Sequence, residues 1–338
     1  MCHDDDDEAP TSGIEAEDFD RTDSDSAYGA PSVASLTETL SSDIVRGVSE
    51  YGRTYAAYGR EEYGLPIDEA ELDRIDMSHE KYKMLLGNQT FLSPVGKNPQ
   101  RILDLGTGTG IWAIEAAELY PSADVCGVDI APTQPKWVPP NLRFEIDDIE
   151  QNWTWQHHNF DFIFARDLLL SIRDWPKLVH QCYDNIKPGG WVELQSVHPK
   201  LLCDDTSTPY SSGLMEFSRL ALSASEACGT PLSDCIRYKE YLTAAGFQDV
   251  TETRFKLPSS PWPRDPRLKL IGAFEIHNLL NGLSGMSLRM FSRAWGWSPE
   301  QTEVFLVNVR KDLRNLRYHT YYEFLVVRGR KPLDDMRM

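Results

Sequence analysis

The segment Ile102-Leu-Asp-Leu-Gly-Thr-Gly-Thr-Gly110 limits what this chain can become more than any other. A short apolar run ends in glycines at alternate positions, and helical spacing over 111–119 begins directly after them. Glycines there let the backbone make a tight strand-to-helix turn and come close to a ligand. A dinucleotide fingerprint needs its third glycine at position 111, which is Ile111. Asp104, two residues before the first glycine, would also repel a pyrophosphate. The same carboxylate suits a ligand with an ammonium and a sulfonium, which is S-adenosylmethionine. An NAD-dependent oxidoreductase therefore fails at Ile111 and Asp104.

Around that turn, residues 101–197 alternate between strand and helix. Apolar runs at 102–105, 125–128, 142–146, 160–165 and 191–197 read as strands, with helical spacing at 111–119 and 175–186. Short apolar strands separated by helices predict an α/β fold, a parallel sheet with helices on both faces. A helix at 238–245, alternation at 250–257 and a strand at 321–327 continue it. Upstream, 67–86 has helical spacing, and a Pro/Gly cluster at 93–99 sets it apart from the core. The expected organisation is an acidic disordered tail at 1–43, a helical N-terminal cap over the cofactor site at 44–98 and a core at 99–257. A helical insert or lid follows at 258–319, then the last strand and C-terminal tail at 320–338.

Acids fall where strand ends meet such a ligand. In an open parallel sheet, ligands lie beyond the carboxyl ends of the strands. Asp129, followed by Ile130, ends the second strand and can accept both ribose hydroxyls. Asp147 and Asp148 end the third, where an acid can accept from the adenine amino group while Ile149 packs on the ring. Ala165-Arg166-Asp167 closes the fourth.

Charge excludes other classes. The chain of 338 residues has a formal net charge of −18, which argues against nucleic-acid binding, because phosphate neutralisation needs a basic face. Thirteen acids and one base, Arg21, lie in 1–43, so most of the excess belongs to a tail with too little apolar surface to order itself. That tail reads as a solubilising leader or as a partner-binding arm. No apolar run nears the ~18 residues of a membrane span, and the N-terminus is acidic where a signal peptide is basic. Six scattered cysteines without a CxxC pair disfavour a metal site and a disulfide framework and favour a reducing intracellular compartment.

The glycine turn with Val-Asp129, Asp147-Asp148 and Lys187-Pro-Gly-Gly190 resembles class I S-adenosylmethionine-dependent methyltransferases. More closely, the chain is similar to the fungal LaeA-like methyltransferases, some of which are regulators of secondary metabolism. That likeness rests on Gly110-Ile-Trp-Ala-Ile114, Gln134-Pro-Lys-Trp-Val-Pro-Pro-Asn141, Asp174-Trp-Pro176 and Gly189-Gly-Trp-Val-Glu-Leu-Gln195. It reaches upstream to Gly52-Arg-Thr-Tyr55 and downstream to Val327-Arg-Gly-Arg-Lys331. The position after Gln195, often acidic in such proteins, is Ser196. The resemblance implies a Rossmann-like, seven-stranded, mostly parallel sheet whose last strand is antiparallel. It also implies a methyl acceptor, a small molecule or regulatory protein partners. The candidate cofactor residues are Asp104, Gly106, Thr107, Gly108, Gly110, Asp129, Ile130, Asp147, Asp148, Ile149 and Arg166, with Tyr55 and His79 from the N-terminal segment.

An oxygen acceptor often needs a general base. His198, after the fifth strand, and His277, in the insert, are the candidates, with His79 behind them. His157-His158 has no third ligand spaced for zinc, and Asp204-Asp205 reads as an exposed turn. Trp262, Trp295, Trp297, Phe274 and Phe291 fit a packed core. Were they to line a pocket, an aromatic or polyketide-like acceptor would suit it.

Overall fold

A computed structural model of the chain describes residues 42–59, 63–155 and 159–333. The expected tail lies outside these residues except at its last two positions. A seven-stranded sheet organises the rest, in the order β5-β4-β3-β6-β7-β9-β8. Its strands are β3 (Arg101–Leu105), β4 (Asp124–Asp129), β5 (Leu142–Ile146), β6 (Phe160–Arg166), β7 (Ile186–Cys203), β8 (Gln248–Pro258) and β9 (Thr320–Arg330). The first five run parallel, and β9 is antiparallel to both β7 and β8. The order reverses between β3 and β6, so a crevice opens at their carboxyl ends.

Strand β3 shows why this region forms a sheet covered on both faces. Four of its five residues are fully buried, which requires cover on both faces. On one side α3 (Ile111–Leu119) lays Trp112, Ala113, Ala116 and Ala117 against Ile102, Val125 and Phe162. On the other, α4 (Trp175–Asn185) and α6 (Tyr238–Ala244) pack with Leu103, Ile163 and Val192. The α3 start is fixed by Gly110 at φ +82°, where a Cβ would stand 2.4 Å from the Phe144 ring. Only glycine fits there.

A second layer sits above the crevice. It combines α5 (Gly213–Ala227), α7 (Pro266–Trp295) and α8 (Pro299–Leu313) with one end of β8 and β9 around Phe217, Leu283, Phe291, Leu306 and Phe324. Asp265 caps α7 by accepting from the Leu268 N–H at 2.8 Å, and Gly296 ends the helix at φ +68°. Against α7 lies α2 (Glu69–Leu85). Their seam is polar: Lys81 pairs with Glu275 at 2.5 Å, and Arg74 bonds Asn278.

The N-terminal segment is only partly helical. After α1 (Ser42–Arg46), the strands β1 (Val48–Glu50) and β2 (Arg53–Tyr55) form a hairpin through Tyr51 and Gly52, both at positive φ. The expected helical N-terminal segment is α2, with this short hairpin ahead of it. Helix α5 lies in a stretch to which the sequence reading gave no element.

Candidate functional site

The glycine turn and the ends of β3 to β6 line a cavity of about 250 Å3. Asp104 is 3% exposed and accepts from the Thr107 hydroxyl at 2.6 Å. Burial pushes its carboxyl up to about 7, opposed by that hydrogen bond and by the Arg166 charge. A buried acid held only partly ionised beside a cavity is a carboxylate short of a cation. Asp129 accepts the Gly108 N–H at 2.8 Å on one oxygen and the Ala131 N–H at 3.0 Å on the other. Burial raises its pKa, and those backbone donors hold it down. Gly106, at φ +65°, leaves no room for a Cβ, which would meet Leu168 at 2.2 Å.

Of the sequence-predicted residues, Asp104, Gly106, Thr107, Gly108, Asp129, Ile130, Asp147, Asp148, Ile149 and Arg166 all line this cavity. Their chemistry fits S-adenosylmethionine: acids for an ammonium and for vicinal hydroxyls, and an apolar face at Ile149 for a purine ring. The turn is also tied to α2, because the Thr109 hydroxyl donates to Asp76 at 2.5 Å.

Five expected residues stand elsewhere. Gly110 packs on Phe144 and shapes the turn without facing the cavity. Tyr55 is fully buried behind the wall, its ring 3.5 Å beneath the Arg289 guanidinium carbon. His79 is also behind the wall; its Nδ1 lies 2.8 Å from Arg166 Nη2 and its Nε2 3.1 Å from Glu115. Burial, opposed mainly by Glu115, lowers its pKa, so it orients Arg166 as a neutral ring. His198 lies between Val197 and Pro199, which face the cavity, and alternation along β7 turns its ring to the other side, opposite Glu323. His277 is on the outer side of α7, exposed and bonded to Asn281 at 2.8 Å. Neither histidine lines this cavity.

The cavity has a second, apolar end that the sequence reading missed. Leu168, Leu170, Phe217, Leu279, Met286 and Met290 line it. Buried among them is a polar strip in which Asn278 accepts from Ser78 at 3.0 Å and donates to Glu275 at 3.1 Å. Asp167 accepts from the Tyr82 hydroxyl at 2.5 Å between the two ends. The available signal was helical: Ile75, Ser78 and Tyr82 on α2, and Glu275, Asn278, Leu279 and Met286 on α7, share faces that otherwise read as core. The insert's aromatics take the core role: Phe291, Trp297 and Phe305 pack together, and Trp262 donates to the Thr320 carbonyl at 2.8 Å. Asp204 pairs with Lys256 and Asp205 with His319 at the surface. His157 and His158 lie outside the described residues.

A sheet of this order with an acid-lined glycine turn is the architecture of class I S-adenosylmethionine-dependent methyltransferases. Residues 77–252 match the methyltransferase domain family, and the chain belongs to that family, among its fungal LaeA-like members. It is 36% identical to "Methyltransferase pytC" of Aspergillus terreus over 87% of this chain and 91% of that protein. It is 35% identical to "Secondary metabolism regulator LAE1" of Cochliobolus heterostrophus over 84% and 94%. To "Protein-methionine methyltransferase laeA" of Emericella nidulans it is 30% identical over 90% and 82%. The cofactor is S-adenosylmethionine.

Proposed function

We propose that the protein methylates a small, largely apolar molecule of secondary metabolism. The observation that carries this reading is the continuity of one cavity, from the acids at the strand ends to the recess under α5 and α7. A largely apolar recess suits a compact acceptor better than a lysine or a nucleotide. The name of the Aspergillus terreus relative agrees with methyl transfer.

Bound in this cavity, the cofactor supplies a methyl group on a positively charged sulfur. Asp129 would hold the ribose hydroxyls, Asp104 the ammonium, and Asp147 or Asp148 the adenine amino group, with Ile149 against the ring. Positioning and exclusion of water then do most of the catalytic work. In this reading 44–98 is the cap, 99–257 the core and 258–319 the insert that roofs the acceptor end.

A second reading is a regulator acting through protein partners in the nucleus, favoured by the name of the Cochliobolus relative. Among the described residues no helix is long and apolar enough to cross a membrane. A cytoplasmic place fits the first reading and a nuclear one the second. A deletion strain fed methyl-labelled methionine separates them when complemented with wild type or Asp129→Ala. One labelled compound restored only by wild type supports the enzyme. Many unrelated compounds restored by both proteins would sink it.

A further inference from the structure

We propose that Asp167 takes the proton from a hydroxyl of the acceptor, so that the substrates are phenols or enols on an apolar skeleton. This rests on the small-molecule reading above and names its acceptor atom.

Asp167 stands where the two ends of the cavity meet. On one side Arg166 ends β6, and on the other Leu168 backs Gly106, all three lining the cavity with Tyr82, Val197 and Tyr322. Its backbone takes φ +50°, and its N–H bonds the Gln195 carbonyl at 2.9 Å, which turns the side chain out of the strand direction. The carboxylate is oriented by two donors, the Val197 N–H at 3.0 Å and the Tyr82 hydroxyl at 2.5 Å. Tyr82 is itself fixed by stacking on Phe324 at 4.4 Å. Two donors leave a carboxylate with lone pairs for a third.

Its surroundings leave it the available base. Tyr82 and Tyr63 from the N-terminal segment, and Tyr238 from α6, are pushed above their ordinary range by burial. Cys235, before α6, is pushed up to about 12. These groups stay neutral near pH 7, and Arg166, whose charged form Asp167 favours, is a charged neighbour of Asp167. Glu275, the acid deeper in the recess, is occupied by Lys81 and Asn278. His198 and His277 face away.

A phenolic hydroxyl ionises near pH ~10 and is a weak nucleophile at pH 7. With Asp167 beside it, the acceptor oxygen forms its bond to the methyl carbon while the carbon–sulfur bond breaks, leaving its electron pair on sulfur. The hydroxyl proton passes to the carboxylate. Charge balances: sulfonium and carboxylate become thioether and carboxylic acid.

The test needs no cofactor. The chromophoric phenol 4-nitro-1-naphthol is titrated by absorbance while bound to wild type, Asp167→Asn and Tyr82→Phe. Asparagine tolerates positive φ, so the first variant keeps the turn. A carboxylate at the hydroxyl disfavours the phenolate, so wild type should raise the probe's ionisation by about one pH unit or more. Asp167→Asn should remove that rise, and Tyr82→Phe, which keeps the charge, should retain it. Methyl transfer to the compound recovered from the deletion strain should fall ~10²- to 10⁴-fold in Asp167→Asn. Its affinity for S-adenosylhomocysteine should not change. Identical probe titrations in wild type and Asp167→Asn would overturn the role of Asp167 and leave the apolar pocket standing. A probe that wild type does not bind would overturn the small-molecule reading and this inference with it.

Discussion

The buried acid Asp104 makes cofactor affinity depend on pH in a direction that can be worked out. Burial holds its carboxyl at about 7 in the unliganded protein. A cationic ligand favours the charged form, so binding must expel the proton wherever the group is neutral. The ionised fraction is about 0.1 at pH 6 and about 0.75 at pH 7.5, so affinity should rise about eightfold, near 1 kcal/mol. Above that, the ligand's own amino group begins to lose its proton, with pKa ~8, and the gain stops. Calorimetry with S-adenosylhomocysteine across this interval measures both the slope and the released proton. Burial lowers the His79 pKa, so the slope is assigned to Asp104 by its loss in the asparagine variant. Asp104→Asn should bind more weakly and without the slope. A flat or falling wild-type profile, or the same slope in Asp104→Asn, refutes the argument. Stability carries the opposite sign. A folded pKa above the unfolded ~3.9 gives stability that is full below pH ~4 and lost as pH rises through about 7. The unliganded protein should therefore weaken over that window by up to about 4 kcal/mol, and Asp104→Asn should be the more stable protein at pH 8.

Other outcomes follow from packing and charge. Gly110→Ala puts a Cβ 2.4 Å from Phe144 at φ +82° and should cost about 2–5 kcal/mol in urea unfolding, with an unchanged midpoint counting against it. Lys81→Met leaves Glu275, 2% exposed, without its cation and should cost about 3–5 kcal/mol. Lys81→Met with Glu275→Leu should recover most of that, and a double mutant as unstable as the single would refute the pairing. His277→Ala, at an exposed position off the cavity, should leave S-adenosylhomocysteine affinity and methyl transfer within twofold of wild type. A larger loss would restore that histidine as a candidate.

The cofactor end of the site was legible because its signals are local. The turn 106–110 shows its glycines within one strand–loop–helix unit, and Asp129 and Asp147 mark strand ends that apolar runs define on their own. Strand β5 and helix α3 fall at the positions the residue pattern gives them. Where the reading failed, a long-range contact decides. Tyr55 looked like a lid contact, yet Arg289, more than two hundred residues later, covers its ring, and Tyr55 does not line the cavity. His198 looked well placed at a strand end, but one-residue alternation decides its face, and Val197 and Pro199 hold the cavity side.

The acceptor end was illegible for a deeper reason. Its walls come from α2, α5, α7 and β9, so no segment contains the pocket. Each helix shows the same apolar stripe it would show if packed solidly against its neighbours. Polar residues on that stripe are what separate the two cases. Ser78, Glu275 and Asn278 are each buried by nine-tenths or more, on faces that otherwise carry leucines and methionines. A solid core would replace such a group at little cost, since a buried ion pair gains little over apolar residues of its volume. Their presence beside a cavity fits a recess that orients a ligand. Replacing Ser78 and Glu275 by apolar residues of similar size, together with Lys81→Met and with Asn278 kept as the partner of Arg74, should therefore preserve folding and cofactor affinity while reducing methyl transfer. Full transfer in that variant would make the strip a structural seam, and the orienting role would then rest on Asp167 and Tyr82.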